Sequence, residues 1–309
     1  MKKTPFVSFV IYLNNNELTI INYISNIDKI AKSYFVNYEY VFIDDFSSDN
    51  TTVKINELVD KIEAPITLIK LSWFQGSEIA LNAGNDIAIG DFVYEIDTIN
   101  SDYPQNIFIK LYERMEKGFD IIVASPSNNI SNSSKLFYKI LNKVSYLKLD
   151  LTTESLRLVS RRAINSITNL SEKIRYRKAL YHYSGFPRSV ISYDPLKLTK
   201  RNNISIWKKI DLSINIILNF SNVGGNIAIF FSFLFLLISI SAGLYAVFIY
   251  LFDKRVIEGW TTIMLLLSSG FTGLFFILGI IGKYISILLI EIKNRSLYTI
   301  KSIQKLSKN

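Results

Sequence analysis

The first half of the sequence predicts an α/β domain with a doubly wound, mostly parallel sheet, and the second half predicts two C-terminal transmembrane helices. The first prediction rests on apolar runs of strand length that alternate with segments of helical period up to residue 124. The second rests on two long segments without charged residues, 212–252 and 259–282. Each is longer than the roughly 20 residues that cross a bilayer.

The composition narrows the class of protein. Of the 309 residues, 49% are hydrophobic, which is high for a soluble protein, and the chain has no cysteine and one histidine. These counts exclude disulfides, cysteine-ligated metals and a histidine-rich metal centre. The net charge of +9 suits either nucleic acid or an anionic membrane surface. Because basic residues flank the uncharged segments, we expect a lipid bilayer as partner and no nucleic acid.

The predicted elements begin with two strand and helix pairs. Residues 6–13 form an apolar run of strand length, and residues 17–31 carry leucine and isoleucines at helical spacing. A second strand follows at 38–43. The Ser-Ser-Asp sequence at 47–49 is suited to cap a helix that runs through 53–62.

The series then continues in the same order. The predicted elements are a strand at 66–71, a helix at 77–89, a strand at 91–96, a helix at 106–117 and a strand at 121–124. Strands that alternate with helices imply parallel pairing through right-handed crossovers, and therefore a three-layer domain.

Polar side chains collect at the predicted strand ends. Asn14 follows the first strand, Asp44 and Asp45 follow the second, and Asp97 and Asp102 follow the fourth. The carboxyl ends of parallel strands meet at one edge of a sheet, where open α/β sheets bind their ligands. Taken alone, the last two acids are more simply explained by an Asp-rich turn without function. The acids at the other strand ends favour a ligand site.

Two nucleotide-binding motifs are absent from the sequence. A dinucleotide fold has Gly-x-Gly-x-x-Gly directly after its first strand, whereas residues 13–17 read Leu-Asn-Asn-Asn-Glu. A P-loop has Gly-Lys-Ser or Gly-Lys-Thr, and neither occurs. The acids favour a sugar nucleotide instead. Its diphosphate leaves as an anion, and a divalent cation on oxygen ligands neutralises that charge.

Three segments of the first half carry a resemblance to a known family. Residues 41–51 are similar to Val-Asp-Asp-Gly-Ser-x-Asp-x-Thr, 76–91 to a glycine-punctuated helix, and 97–104 to Asp-Ala-Asp-Leu-Gln-Asp-Pro-Pro. These motifs resemble the family 2 glycosyltransferases of Rossmann-like GT-A fold, in particular the polyprenyl-phosphate (dolichol-phosphate-mannose-synthase-like) subgroup. The sequence departs from the last motif at Ile99, which replaces the second Asp, and at Ser101, which replaces the Gln.

The resemblance implies a set of site residues. Asp97 and Asp102 are implied to be catalytic, and Asn14, Asp44, Asp45, Gly76 and Arg157 to bind the nucleotide. Asp97 is also the implied ligand of Mg²⁺ or Mn²⁺, with an affinity lowered by the change at Ile99. Arg157 belongs to a Leu-Arg-Leu segment that is similar to the family's Phe-Arg-Leu. An exposed arginine at the start of a helix is the alternative for this residue.

Basic residues mark the predicted membrane interface. The implied contacts to a lipid phosphate are Lys197, Lys200, Ser205 and Lys208, in a segment similar to the family's Arg-x-x-Arg-x-x-Gly-x-Ser-Lys-Tyr. A phosphate acceptor is already an anionic nucleophile, so it needs steering by cations more than it needs a catalytic base.

The predicted organisation has six parts. They are a cytoplasmic glycosyltransferase domain at 1–200, a basic amphipathic interface segment at 201–224, transmembrane helices at 225–252 and 259–290, a short extracytoplasmic loop at 253–258 and a basic cytoplasmic tail at 291–309. Positive flanks stay on the side of synthesis, so we expect an integral plasma-membrane protein with both termini and the catalytic domain in the cytoplasm. Small residues in the two helices, Ser239-x-x-x-Gly243 and Gly270-x-x-Gly273, offer a surface for a homo-oligomer.

The predicted function is transfer of a sugar from a nucleotide-diphosphate sugar to a polyprenyl phosphate, such as undecaprenyl phosphate. The product is expected to feed cell-surface glycan modification in a bacterium. Two alternatives stay open. One is a transferase with another lipid or glycan acceptor, and the other is a membrane-tethered nucleotide-sugar-binding protein that lacks turnover and acts in a complex. The sugar and the base are undetermined, because specificity depends on pocket shape.

Overall fold

The computed structural model describes residues 2–100, 103–127, 155–168, 177–196, 259–292 and 298–306, with a few residues between 230 and 241. The described strands are β1 Val7–Leu13, β2 Tyr38–Asp44, β3 Ile66–Leu71, β4 Phe92–Ile96, β5 Ile121–Pro126, β6 Leu156–Ser160, β7 Arg188–Tyr193 and β8 Ile300–Leu306. The described helices are α1 Ile20–Tyr34, α2 Thr51–Val59, α3 Ser77–Ile87, α4 Ile107–Met115, α5 Arg161–Thr168, α6 Arg177–Tyr183 and α7 Trp260–Ile292. Strands and helices alternate through β5, as the sequence predicts.

The described strands form one mixed sheet in the order β7-β5-β6-β4-β1-β2-β3-β8. β1 pairs in parallel with β2 and β4, β2 with β3, and β5 with β7. β6 is antiparallel to both of its neighbours, and β8 is antiparallel to β3. The predicted α/β fold is therefore confirmed, with three antiparallel pairings that the sequence did not predict.

Helices cover both faces of the sheet. One hydrophobic cluster joins the sheet to α1, α2 and α4, and a second joins it to α3, α5 and α6. In β1, Phe9 and Ile11 belong to the first cluster and Val10 to the second, because successive side chains of a strand point to opposite faces. The result is the three-layer arrangement of a doubly wound sheet.

The register of the parallel strands places their carboxyl ends together. Leu13 at the end of β1 pairs with Asp44 at the end of β2. Ile11 of β1 pairs with Ile96 at the end of β4. The loops that follow these three strands therefore emerge at one edge, which we call the carboxyl edge.

The chain forms two compact units. One contains the sheet together with the described residues 298–306, and the other contains α7. Several large apolar side chains of α7 are exposed, among them Ile263, Phe271 and Phe275. Restricted to the described residues, no helix has the length and apolar character needed to cross a membrane. The two transmembrane helices stay predictions.

Replacing Gly84 with alanine is expected to lower the free energy of unfolding by about 1–3 kcal/mol. A Cβ atom on Gly84 of α3 would lie 2.3 Å from Cγ1 of Val10 and 2.7 Å from Cδ1 of Ile43. The core would have to shift to remove this overlap. Urea denaturation followed by circular dichroism measures the change. Gly279→Ala is the control, since a Cβ atom there meets no described residue within 4 Å. An equal effect of both changes would contradict the packing argument.

Candidate active site

The loops after β1 and β2 are tied together at the carboxyl edge. The backbone N–H of Asp45 donates to the carbonyl of Leu13 at 2.9 Å. The side-chain amide of Asn14 donates to the carbonyl of Asp45 at 2.7 Å. Asn14, predicted to bind the nucleotide, thus holds the backbone that follows β2 in place.

Asp45 organises the loop after β3. Its buried carboxylate accepts hydrogen bonds from the backbone N–H groups of Gln75 and Gly76 at 2.7 and 2.8 Å, and from the Tyr12 hydroxyl at 3.0 Å. Burial raises the pKa of Tyr12, and the negative charge of Asp45 raises it further, so that the hydroxyl stays protonated and donates. Gly76 has φ 88°, a left-handed conformation that favours glycine. Asp45 and Gly76 therefore act as a unit that shapes this loop.

Asp44 keeps an acceptor available at the same edge. Its side chain is buried, and within the described residues its Oδ1 has no hydrogen-bond partner. Burial raises the pKa of the Asp44 carboxyl, and hydrogen bonds with Ser47 oppose the shift in part. A buried acceptor without a donor is costly unless a ligand supplies one. The Oδ1 atom is placed to accept an N–H or O–H of a ligand.

The backbone is strained next to these acids. Phe46 follows Asp45 with φ 59°, and its side chain is 58% exposed. The left-handed region costs a non-glycine residue about 1–2 kcal/mol, and the motif that this segment resembles has glycine here. The strain therefore lies at the carboxyl edge itself, where an exposed aromatic ring stands beside two buried acids.

Asp97 follows β4 and is held by two arginines. One guanidinium nitrogen of Arg157, Nη2, donates to both Asp97 oxygens at 2.9 and 2.8 Å. Arg177 reaches Asp97 Oδ1 at 3.5 Å. The Asp97 side chain is only 12% exposed, whereas both arginines are almost completely buried. Asp97 is thus the outermost part of a buried ionic network.

Glu95 is the second acid of this network. Its carboxylate lies 2.9 Å from Arg157 and 3.4 Å from Arg177 and accepts from the amide of Asn85 at 2.5 Å. The Tyr181 hydroxyl also donates to it. Burial, reinforced by the charge of Glu95, raises the pKa of Tyr181 well above its ordinary value, so this hydroxyl remains a donor. The network orients two cations at the base of the carboxyl edge.

The sequence left two interpretations of Arg157, and its role in binding the nucleotide stays a prediction. The alternative of an exposed helix-start arginine is wrong, because Arg157 lies inside β6 and is fully buried. Glu95, Arg177 and Tyr181 were not selected. The signal for Glu95 was its position in an apolar strand. It lies two residues from Val93 and therefore on the same buried face. A buried acid requires a buried cation as its partner.

The described residues do not fit a Mg²⁺ or Mn²⁺ site. These hard cations need several oxygen ligands. Arg157 already donates to both oxygens of Asp97, and Ile99, in the position of the second ligand, is a buried apolar residue. In the described part of the chain, no group of three or more Asp, Glu, His or Cys side chains is arranged to hold a metal.

Several predicted residues lie outside the described ranges. They are Asp102, Lys197, Lys200, Ser205 and Lys208. The cation and the lipid-phosphate contacts therefore stay predictions. Asn14, Asp44, Asp45, Gly76, Asp97 and Arg157 all lie at or directly below the carboxyl edge.

Comparison with known proteins shows to which family this chain is similar. The model of glycosyl transferase family 2 matches residues 8–184. The bactoprenol glucosyl transferase of Shigella phage SfII is 28% identical to this chain, over 96% of this chain and 97% of the phage protein. An uncharacterized glycosyltransferase of Synechocystis sp. is 26% identical over 96% of this chain and 95% of its own.

Solved structures are similar at lower identity. Mannosyl-3-phosphoglycerate synthase from Rubrobacter xylanophilus has a TM-score of 0.49 at 15% identity, covering 69% of this chain and 72% of its own. The family model, by contrast, covers more than half of the sequence, including β1 from residue 8 and all of β2 to β6. The predicted family and the predicted enzyme class are both confirmed: the chain belongs to glycosyl transferase family 2.

Proposed function

We propose that this chain transfers a sugar from a nucleotide-diphosphate sugar to a polyprenyl phosphate at the cytoplasmic face of a membrane. One observation carries the proposal: Asp44, Asp45 and Asp97, which end or follow β2 and β4, lie at the carboxyl edge above two buried arginines. An edge of this kind supplies carboxylate acceptors for a base and ribose, at the place where open α/β sheets bind their ligands.

The sugar nucleotide is bound by both parts of this edge. The Oδ1 atom of Asp44 accepts an N–H group of the base, and the loop shaped by Asp45 and Gly76 borders the same position. Arg157 and Arg177 fix the Asp97 carboxylate at this edge. Glu95 and Glu78 also pair with these arginines, so the buried network carries no excess positive charge. No step is assigned to a divalent cation.

The acceptor is inferred from chemistry and from relatives. An oxygen of the prenyl phosphate attacks the anomeric carbon, the bond from that carbon to the diphosphate breaks, and the nucleoside diphosphate leaves. The products are a prenyl-phosphate sugar and the nucleoside diphosphate. The phosphate nucleophile carries its own charge, so the site needs no base to activate it. Relatives named bactoprenol glucosyl transferase, similar along almost the whole chain, support a prenyl phosphate.

Membrane anchoring belongs to the same proposal. Lysines and arginines lie on the outer flanks of the two uncharged segments, 212–252 and 259–282, whereas the charges of the connecting loop 253–258 cancel. This pattern retains the outer flanks in the cytoplasm. Exposed apolar side chains of α7, such as Phe271 and Phe275, are suited to lipid. We therefore propose an integral plasma-membrane protein with its catalytic domain and both termini in the cytoplasm, where nucleotide sugars are available.

The test is transfer by the full chain purified in detergent. We expect incubation with labelled sugar nucleotides and undecaprenyl phosphate to give a labelled anionic glycolipid and an equal amount of nucleoside diphosphate. Undecaprenol is the matched control, since it has the same chain without the phosphate. Parallel reactions with Mg²⁺, Mn²⁺ and EDTA measure the need for a cation.

Two other outcomes would contradict the proposal in different ways. Sugar-nucleotide binding by calorimetry, without transfer to any prenyl phosphate, would favour a binding protein that has lost turnover. The replacement Ile99 and the pairing of Asp97 with Arg157 are the observations that favour this alternative. Transfer to undecaprenol or to a glycan, but not to the phosphate, would identify another acceptor class.

A further inference from the structure

The C-terminal strand reaches back to the loop after β3. β8 pairs with β3 along its length, in the register Ile66↔Leu306 to Leu71↔Ile300. Just before β8, the Tyr298 hydroxyl donates to Asp86 at 2.6 Å. Residues more than 200 positions apart are thus brought together beside the carboxyl edge.

Gln75 and Thr299 form a reciprocal pair. The Gln75 side-chain amide donates to the carbonyl of Thr299 at 2.9 Å, and the backbone N–H of Thr299 donates to the Gln75 side-chain oxygen at 3.1 Å. The N–H of Ser72 donates to the same Thr299 carbonyl at 3.1 Å. Both ends of the loop at 72–75 are therefore fixed to one backbone position of the C-terminal segment.

The same residue, Gln75, also contacts the sugar-nucleotide side of the loop. Its backbone N–H donates to Asp45 at 2.7 Å, beside the N–H of Gly76. The loop between these contacts exposes Trp73 and Phe74, which are 54% and 57% accessible. Because exposed side chains contribute little packing, the hydrogen bonds on its two sides set the order of this loop.

We propose that Gln75 is a positioning residue through which the C-terminal segment 298–306 holds the sugar-nucleotide loop in its binding conformation. Asp45 accepts a hydrogen bond from the backbone N–H of Gln75, and Thr299 pairs with the side-chain amide of the same residue. When the side-chain pairing is lost, the hydrogen bonds to Asp45 weaken as well. A site that must be ordered at binding has a lower apparent affinity. The inference rests on the proposed use of this edge for a sugar nucleotide.

The experiment compares three variants of the full chain in detergent. In Gln75→Ala the reciprocal pair is lost. In Thr299→Pro the N–H donor is lost while the Thr299 carbonyl stays, and the ring also fixes the backbone angle φ at this residue. Gln304→Ala is the matched control, because it removes an exposed glutamine from β8 itself. We expect the first two variants to raise KM for the sugar nucleotide about three- to tenfold, as expected from loss of one or two hydrogen bonds. We expect kcat to stay within about twofold of the parent value, since the reacting groups are unchanged.

A second readout separates this inference from the proposed function. Hydrogen–deuterium exchange of peptides that cover 72–76 is expected to accelerate in Gln75→Ala and in Thr299→Pro but not in Gln304→Ala, whether or not the protein transfers a sugar. If transfer fails in the parent chain but exchange accelerates, the proposed function fails and the positioning role stands. Unchanged exchange in both variants, or an equal loss of kcat and melting temperature in all three, would overturn the positioning role.

Discussion

Replacing Arg157 with alanine is expected to lower the free energy of unfolding by about 3–5 kcal/mol, because it leaves buried acids without their cation. Arg157 contacts Glu95 at 2.9 Å and Asp97 at 2.8 Å, and the side chains of Arg157 and Glu95 are both 0% exposed. Arg177 is the nearby cation that remains, at 3.4 Å from Glu95. One guanidinium cannot replace the bonds of two. Urea denaturation of the full chain, followed by circular dichroism, measures this loss.

Lys32→Ala is the control for this prediction. Lys32 pairs with Glu63 at 2.8 Å on the surface, where the two side chains are 55% and 70% exposed. An exposed pair contributes about 0–1 kcal/mol. If Arg157→Ala costs no more than Lys32→Ala, water must enter the network, and the description of Glu95 as a buried charge would be wrong.

Asp97→Asn is expected to lower kcat by about 100-fold or more, the range seen when one electrostatic contact to a transition state is removed. The change keeps the size of the side chain and removes the charge that holds Arg157 and Arg177 at the carboxyl edge. The carboxylate at the carboxyl edge would be lost, and the buried network below it would rearrange around the two arginines. Initial rates of glycolipid formation at saturating sugar nucleotide measure the effect.

Asp120→Asn separates a local effect from a general loss of stability. Asp120 is 2% exposed and accepts from Ser160 and Arg162 at 2.6 Å or less, so it is also a buried, paired carboxylate. It precedes β5, which runs parallel to β4, and therefore lies at the opposite edge of the sheet. We expect this variant to lose stability and to keep kcat within about twofold. Equal kcat in the two variants would show that Asp97 has only a structural role.

The sequence predicts the first half of the fold well because its signal is local. Strands at 66–71 and 38–43 are bounded by turn residues, and their apolar runs need no partner to be recognised. β8 is different, because Lys301 and Lys305 interrupt its apolar positions and only pairing with β3 makes it a strand. Such long-range pairing leaves no periodic signal in a single sequence.

The candidate site, like the fold, was predictable only where its signal is local in the sequence. Asp44, Asp45 and Asp97 could be found because acids at strand ends are a positional signal. Arg157 was also predicted as a site residue, but its pairing with Asp97 was not, because β6 is an antiparallel strand that the sequence did not predict. Arg177, the other partner, comes from a distant helix. An expected metal ligand thus lies in an ion pair, which only the three-dimensional arrangement reveals.

The main-chain ladder between β3 and β8 also limits how the chain can run between the end of β7 and residue 298. The polypeptide leaves the sheet at Tyr193 and rejoins the same sheet at Ile300. Any part of the intervening chain that enters a bilayer must come back through it, so the number of passes is even. A single anchoring pass, or three, would leave β8 on the wrong side of the lipid and β3 without its neighbour.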